Sequence, residues 1–190
     1  MTHLRDIKEN HIMRKITAGL FISLDGVVEA PDAWHFPYFN DEMGQSVGEQ
    51  MEAADAMLLG RHTYEEFAAH WPHQDPEKEP LADAMNLATK YVVSTTLTAP
   101  AWQNTELVTL AGLAELKQRP GRNISVVGSG TLVVSLLREG LLDELNLLVH
   151  PIVVGSGKRL FDDVGTQIPL TLTTSTTFST GVLNLIYTRA

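Results

Sequence analysis

The sequence predicts an α/β fold with a mostly parallel central sheet, helices on both faces and an antiparallel hairpin at the C-terminal end. Short apolar segments alternate with segments of helical character from residue 15 to residue 155, and this alternation is typical of β–α–β units with parallel strands. Residues 170–189 instead contain two Thr-rich strand patterns around Ser179-Thr180-Gly181, which indicates a hairpin. Antiparallel strands at the edge of a parallel sheet give the mixed sheet that we expect.

Five apolar segments before the hairpin are the candidate strands. The first, residues 15–24, ends at the turn pair Asp25-Gly26, a dipeptide that favours a chain reversal. The others are residues 55–60, 91–95, 123–128 and 143–155, the last being either one long strand or a strand pair.

Five segments of helical character lie between or beside these strands. The first runs from about residue 41 to residue 54, with Asn40 or Asp41 as a candidate N-cap, because either side chain can accept a hydrogen bond from the first turn. The others cover residues 62–70, 81–90, 110–118 and 131–140. The Pro-rich segments 29–40 and 71–80 are predicted loops.

Length, charge and cysteine content limit the possible functions. A chain of 190 residues without an internal linker predicts one domain, which we assign to residues 14–190 after a frayed extension over residues 1–13. The net charge of −9 argues against a broad surface for nucleic acid or anionic membrane. The absence of cysteine excludes disulfides and thiolate metal sites. We expect a cytoplasmic protein that binds a small molecule, with no metal, nucleic acid or membrane.

Two segments combine a strand end with a helix start, where unpaired N–H groups attract anions. In LLGRHTYEEF (58–67), Gly60 is followed by Arg61, His62 and Thr63; either the four residues hold a phosphate, or Thr63 caps the helix while Arg61 is solvated. In SVVGSGTLVVSLL (125–137), Gly128 and Gly130 would let the backbone approach a pyrophosphate. An ordinary tight turn is the alternative, and this segment taken alone favours it.

Two further segments carry weaker signals. Ser94, Thr95 and Thr96 end a predicted strand and offer hydroxyl groups to a phosphate. The segment VVGSGKRLF (153–161) is only superficially like a P-loop, because Ile152 and Arg159 stand where a P-loop needs Gly and Ser or Thr. Lys158 and Arg159 either hold an anionic substrate or simply flank a loop.

Carboxylates and aromatic rings are the candidates for the substrate side. Asp25 ends the first strand, and the carboxyl ends of parallel strands border the ligand crevice of an α/β sheet; Asp41 and Glu42 begin the first helix. Turn formation and helix capping are the structural alternatives for these carboxylates. The aromatic side chains of the 29–40 loop either wall a flat ring or form local core, and they are Trp34, Phe36, Tyr38 and Phe39.

Taken in order, these segments resemble the dihydrofolate reductase fold, and more closely the reductase domain of riboflavin biosynthesis and its stand-alone bacterial relatives. The similarity runs from about residue 14 to residue 189, and it implies a three-layer dihydrofolate reductase-like fold. It rests on six motifs: SLDG (23–26), LLGRHTYEEF (58–67), KYVVSTT (90–96), ISVVGSGTL (124–132), DEL (143–145) and HPIVVGSGKRLF (150–161).

The resemblance implies NADPH as the cofactor and assigns residues to it. The helix-start segment would contact its phosphates, the strand-end segment its ribose 2′-phosphate, the glycine turn its pyrophosphate, and the SLDG segment its nicotinamide. The implied cofactor residues are Leu24, Gly26, Gly60, Arg61, His62, Thr63, Ser94, Thr95, Thr96, Gly128, Ser129, Gly130, Thr131 and Leu132. On the substrate side the candidates are Asp25, Asp41 and Glu42 for catalysis, with Trp34, Phe36, Gly155, Gly157 and Lys158 for binding.

The expected function is therefore NADPH-dependent reduction of a small polar heterocyclic or sugar-derived substrate, similar to that of 5-amino-6-(5-phosphoribosylamino)uracil reductase. Pterin reduction of the dihydrofolate reductase type and a non-catalytic NADP-binding role are the alternatives. The resemblance also implies a homodimer, with residues 143–155 and the C-terminal hairpin as candidate contacts.

Overall fold

The computed structural model describes residues 13–190, which build one eight-stranded mixed sheet. In the order β4-β3-β2-β5-β1-β6-β8-β7, all neighbours pair in parallel except the last two pairs, β6–β8 and β8–β7. The mostly parallel sheet and its antiparallel C-terminal hairpin are thereby confirmed. The strands are β1 (Ile16–Ser23), β2 (Ala54–Gly60), β3 (Thr89–Val93), β4 (Thr105–Val108), β5 (Asn123–Val127), β6 (Glu144–His150), β7 (Leu170–Thr177) and β8 (Leu183–Arg189).

Helices cover both faces of the sheet, as predicted. Alternate strand residues point to opposite faces, so Leu58 packs with α4 and α5 while its neighbours Met57 and Leu59 pack with α2 and α3. Met43 of α1 packs on Leu148 of β6. The helices are α1 (Asp41–Glu52), α2 (Arg61–His70), α3 (Ala82–Leu87), α4 (Leu113–Leu116) and α5 (Gly130–Arg138).

Three elements differ from the sequence-based prediction. Strand β4 was not predicted, and α4 is only four residues long. The apolar segment 143–155 is neither one long strand nor a strand pair, because β6 ends at His150, where Pro151 has no N–H to donate to a ladder. Since β6 lies between β1 and β8 in the interior of the sheet, this strand has no free edge for pairing with a strand of a second copy.

The chain order places a crevice at one edge of the sheet. After β1 the chain crosses to β2, β3 and β4 on one side, returns to β5 beside β1, and then adds β6 on the other side. Ligands of such sheets bind outside the carboxyl ends of the strands where the order reverses. The loops that follow β1, β2, β3, β5 and β6 all lie at this edge, which we call the carboxyl edge.

Of the predicted N-terminal extension, residues 1–12 lie outside the described part of the chain. Within the described part, no helix is both long and apolar enough to cross a membrane.

Candidate active site at the carboxyl edge

The starts of α2 and α5 lie side by side because they follow neighbouring strands, β2 and β5. The Ser129 hydroxyl joins them: it accepts a hydrogen bond from the Gly60 N–H at 2.9 Å and lies 2.9 Å from the Thr63 hydroxyl. Two helix N-termini therefore meet at one point, each with a partial positive charge. The two segments singled out in the sequence form one anion-suited surface.

The turn before α5 has the strained backbone that its glycine suggests. Gly128 has φ 59° and Ser129 has φ 52°, both in the left-handed region, which is costly for a residue with a side chain. A Cβ at Gly128 would lie 3.2 Å from the Thr63 methyl carbon. The glycine thus keeps the α5 turn close against the start of α2.

The next residues of α5 differ in what they can offer a ligand. Thr131 is exposed, whereas the Leu132 side chain is buried in the core and its N–H already donates to the Ser129 carbonyl at 2.8 Å. Leu132, predicted as a cofactor residue, is therefore occupied in holding the helix start to the sheet.

A second cleft lies beside the α2 start. It has a volume of about 290 Å³. Its lining combines Arg61 with the end of β3, which lies more than thirty residues further along the sequence. The Arg61 guanidinium is paired with Glu65 at 2.9 Å and remains 38% exposed, so it can still reach a ligand. The residues lining this cleft are Arg61, Val93, Ser94, Thr95, Thr96, Thr109 and Leu110.

Within this wall the Ser94 hydroxyl has a structural task. It accepts hydrogen bonds from the N–H groups of Thr96 at 3.2 Å and Leu97 at 2.9 Å. The turn after β3 is thereby fixed, and the exposed side chains of Thr95 and Thr96 stand at the cleft. A guanidinium facing hydroxyl groups is the arrangement that binds a phosphate.

Asp25, predicted to be catalytic, holds two loops together. Its carboxylate accepts hydrogen bonds from the Ser23 hydroxyl at 2.7 Å and from the N–H groups of Val154 at 3.0 Å and Gly155 at 2.9 Å. These bonds, of which that from Ser23 is the largest contribution, keep the pKa of Asp25 far below its ordinary value. Arg159 adds an ion pair at 3.5 Å. At neutral pH Asp25 is an ionised anchor with no proton to give.

The segment that contains Gly155, Gly157 and Lys158 folds back on the loop after β1. Val27 and Arg159 form an antiparallel bridge, and a Cβ at Gly157, whose φ is 113°, would lie 2.9 Å from a Val27 methyl carbon. The Lys158 N–H donates to the Glu29 carboxylate at 3.1 Å, and its ammonium group donates to the Thr131 hydroxyl. Lys158, expected on the substrate side, thus places its charge at the start of α5.

Asp41 and Glu42 are adjacent in sequence but differ in their contacts. The Glu42 carboxylate accepts hydrogen bonds from the Ser179 hydroxyl, the Ser179 N–H at 2.7 Å and the Asn40 side chain at 2.8 Å. These bonds lower the pKa of Glu42, and that from the Ser179 hydroxyl contributes most. Glu42 therefore anchors the turn between β7 and β8. Asp41 is exposed in the first turn of α1 and makes no side-chain hydrogen bond to the described residues.

The loop of residues 29–40 forms an aromatic cluster over the ends of β1 and β6. Its two predicted substrate residues differ in exposure: Trp34 is buried and its indole N–H donates to the Glu29 carbonyl at 3.1 Å, whereas Phe36 is 63% exposed. His35 is stacked on Phe21 with ring centroids 4.5 Å apart, and Phe36 lies 4.2 Å from His35. The loop thus combines a packed base with an exposed aromatic ring.

Two histidines in this cluster were missed by the sequence analysis. His150, at the end of β6, is fully buried, and its ring lies 5.2 Å from that of Trp34 and 6.1 Å from that of His35. Burial lowers the pKa of both imidazoles, and the charge of His150 lowers that of His35 further. Nδ1 of His35 and Nε2 of His150 are buried without a partner among the described residues. The His-Pro pair at positions 150–151 was visible in the sequence, but nothing there indicated its partner in the aromatic loop.

The sheet order and the edge loops together define the class of dihydrofolate reductase-like α/β proteins. Within this class the chain belongs to the RibD C-terminal domain family, whose model matches residues 14–184.

One relative and two solved structures are similar to this chain over most of its length. The uncharacterized protein YyaP of Bacillus subtilis (strain 168) is 31% identical over 183 residues, which cover 92% of this chain and 94% of that protein. The structure of a putative riboflavin biosynthesis protein from Shewanella sp. PV-4 superposes with a TM-score of 0.73 at 21% identity, covering 93% of this chain and 99% of the other. The dihydrofolate reductase of Enterococcus faecalis, complexed with NADP(H), superposes with a TM-score of 0.61 at 12% identity, over 92% and 96% of the two chains.

Proposed function

We propose that this protein is an NADPH-dependent reductase of a small ring-containing substrate, of the type that acts in riboflavin biosynthesis. The observation that supports it most is the continuity of the anion-suited surface. The joined helix starts at Gly60 and Gly128 lead directly, through Arg61, to the hydroxyl-lined cleft at the end of β3. Two phosphate-binding points on one edge match a dinucleotide with an additional ribose phosphate.

The residues present fit NADPH. Gly128 lets the α5 turn pack against the start of α2, so the two helix N-termini would present their N–H groups to one pyrophosphate together. Lys158 stands at the α5 start through its bond to Thr131, and Arg61 with Thr95 and Thr96 would hold the 2′-phosphate. The nicotinamide, once bound, supplies the hydride, and the protein supplies orientation and electrostatics.

The chain's own residues would then order the reaction side. Leu24 is 66% exposed at the end of β1, where it would form an apolar wall for the nicotinamide next to the Gly26 turn. Asp25 would hold the two loops of that wall together rather than move a proton. Asp41, exposed and without a hydrogen-bond partner in the described chain, would orient or protonate the substrate directly or through a water molecule.

A non-catalytic NADP-binding protein is the second candidate. One observation favours it: two of the three predicted catalytic carboxylates, Asp25 and Glu42, are engaged in anchoring loops. The two functions share the cofactor site and differ only in turnover.

The test is a titration with NADPH and NADH by calorimetry, followed by a substrate screen monitored by the absorbance of the reduced nicotinamide. We expect tighter binding of NADPH, and oxidation of NADPH by at least one ring compound. Binding without oxidation would favour the non-catalytic role, and failure to bind NADPH would contradict both candidates.

A further inference from the structure

One continuous stretch of the chain builds most of the substrate side. From residue 16 to residue 60, which spans β1, the aromatic loop, α1 and β2, there is no Lys or Arg. The acidic residues of this stretch at the carboxyl edge, which we call the acidic wall, are Asp25, Glu29, Asp32, Asp41 and Glu42. Glu49, Glu52 and Asp55 lie at the opposite edge of the sheet, where Asp55 pairs with Arg14. A phosphate or carboxylate bound against the acidic wall would meet charges of its own sign, which costs several kcal/mol at close range.

The described cations nearest to this wall are directed elsewhere. Arg159 pairs with Asp25 at 3.5 Å and donates to its carbonyl at 2.9 Å. Lys158 points to the Thr131 hydroxyl at the α5 start. Arg61 lines the cleft at the end of β3. All three thus lie on the cofactor side or inside a loop anchor, while Asp32 and Asp41 remain exposed on the substrate side.

The same side exposes large apolar groups. Phe36 is 63% exposed, Phe39 51%, Leu24 66% and Val153 67%. Leu24 and Val153 are held in neighbouring segments by the hydrogen bond from the Leu24 N–H to the Ile152 carbonyl at 2.8 Å. Groups of exposed apolar side chains mark binding surfaces, and aromatic rings suit contact with a planar ring.

We infer that the substrate is a planar ring compound without a phosphate or carboxylate group, either neutral or positively charged. This inference rests on the proposed reductase function and narrows it, because a phosphoribosyl substrate would place its phosphate against the acidic wall. The apolar side chains would hold the ring, and the carboxylates of Asp32 and Asp41 would select against anions.

Matched ligand pairs test the charge preference directly. Riboflavin and flavin mononucleotide, pyridoxine and its 5′-phosphate, and thiamine and its monophosphate are each titrated by calorimetry into the full chain, with and without NADPH. We expect the unphosphorylated member of at least one pair to bind at least about tenfold more tightly than its phosphate. Equal or tighter binding of the phosphate members, or no binding of any ring, would overturn the inference.

Charge variants test whether the acidic wall causes the preference for unphosphorylated ligands. Asp32→Lys should reduce the discrimination between paired ligands by at least about threefold. Glu139→Lys makes the same charge change in an exposed residue at the opposite end of α5, and should leave the discrimination unchanged. Equal effects of both variants would mean that net charge, not the wall, sets the preference, which would contradict the inference.

A second variant shows whether the exposed apolar surface binds a ring or a second copy of the chain. The titrations without NADPH show whether the inference on the ligand class holds independently of cofactor binding. Phe36→Ser should weaken ring binding without changing the sedimentation coefficient; a change from dimer to monomer with unchanged ring binding would assign the apolar surface to a second copy of the chain and overturn the inference. Failure of NADPH to bind would refute the proposed function, whereas the titrations without NADPH would still decide the ligand class.

Discussion

At the scale of single residues, the three candidate carboxylates at the carboxyl edge differ in their hydrogen bonds: two anchor loops, and the third has no side-chain hydrogen bond to the described residues. Asp25 accepts hydrogen bonds from three donors besides Arg159, and Glu42 accepts from Ser179 and Asn40. Both groups are stabilised in the ionised form, because hydrogen bonds to a carboxylate favour its charge. Asp41 has no such bonds within the described chain. The three residues are thus distinguishable by mutation although they were equivalent in sequence.

Asp41→Asn is expected to lower turnover of a confirmed substrate while NADPH affinity stays within about threefold, a change under ~1 kcal/mol. Asp25→Asn should instead lower the stability of the fold, because an amide replaces a carboxylate that accepts from Val154 and Gly155. Kinetics and urea denaturation of both variants measure the two effects. Wild-type turnover of Asp41→Asn would exclude it as the proton-handling residue.

Arg61→Ala should weaken NADPH binding far more than NADH binding. A hydrogen bond to a charged group contributes about 1.5–3 kcal/mol, and only NADPH has the 2′-phosphate that Arg61 would meet in the β3 cleft. Calorimetry with both nucleotides gives the difference. Arg119→Ala is the control, since Arg119 is also a surface arginine paired with a glutamate, Glu106 at 3.1 Å. An equal loss for both nucleotides would contradict the assignment of Arg61 to the 2′-phosphate.

At the scale of elements, the turn before α5 distinguishes its two glycines. Gly128 has φ 59° and a Cβ there would lie 3.2 Å from the Thr63 methyl carbon, whereas a Cβ at Gly130 would lie 3.4 Å from a Val28 methyl carbon and Gly130 has no positive φ. Gly128→Ala should therefore lower stability by about 1–2 kcal/mol and weaken NADPH binding. Gly130→Ala should affect both much less. Thermal denaturation and calorimetry on the pair measure this, and equal effects would show that the left-handed backbone is not what matters.

The elements that were predictable from sequence are those with strong local signals. The apolar run of β1 and the Asn40 cap of α1, whose side chain accepts from the Met43 N–H at 3.0 Å, are encoded locally. Strand β4 has only four residues and follows Asn104 in a left-handed conformation, so no alternation is long enough to reveal it. Pro151 ends β6 locally, but the path of residues 152–155 depends on distant partners, because the Leu24 N–H and the Asp25 carboxylate form hydrogen bonds with their backbone.

The candidate site shows the same division. Its phosphate-suited parts are helix starts, and their glycines and arginine are visible in single segments. What sequence alone did not show is pairing over long separations: the Ser129 hydroxyl with Gly60, or His35 with His150. The assignment of Lys158 to the substrate side illustrates this point, since only the folded chain places its ammonium group on Thr131.

At the scale of the whole molecule, we predict a homodimer that uses the C-terminal hairpin. Among residues 13–190, strand β7 pairs only with β8 and ends the sheet, and a free edge strand is a template for a second copy. Leu172 on this strand is 48% exposed. Sedimentation should give a mass near twice 20.9 kDa. Leu172→Glu should shift it toward the monomer, while Leu87→Glu, on an exposed α3 side chain, should not; a monomeric wild type would refute the dimer.

The buried histidine pair predicts how the stability of the whole fold depends on pH. Burial lowers the pKa of His35 and His150 below the ordinary value of 6.5, and the facing charge of Asp32 offsets this only in part. As the pH falls through 6.5, the histidines bind protons in the unfolded chain but remain neutral in the folded chain, so the free energy of unfolding decreases. Above that pH both states are neutral and the effect is absent. The carboxylates Asp25 and Glu42 have lowered pKa values and titrate in a more acidic range.

We therefore expect the free energy of unfolding, measured by urea denaturation, to fall by about 1–3 kcal/mol between pH 7.5 and pH 5.5, since each imidazole kept neutral costs up to ~1.4 kcal/mol per pH unit. His35→Phe keeps a flat ring on Phe21 and removes one titrating group, so it should remove about half of this decrease. His73→Phe changes an exposed histidine of the loop after α2 and should leave the decrease unchanged. Equal stability of the wild type at the two pH values would show that the folded chain binds these protons as readily as the unfolded chain does.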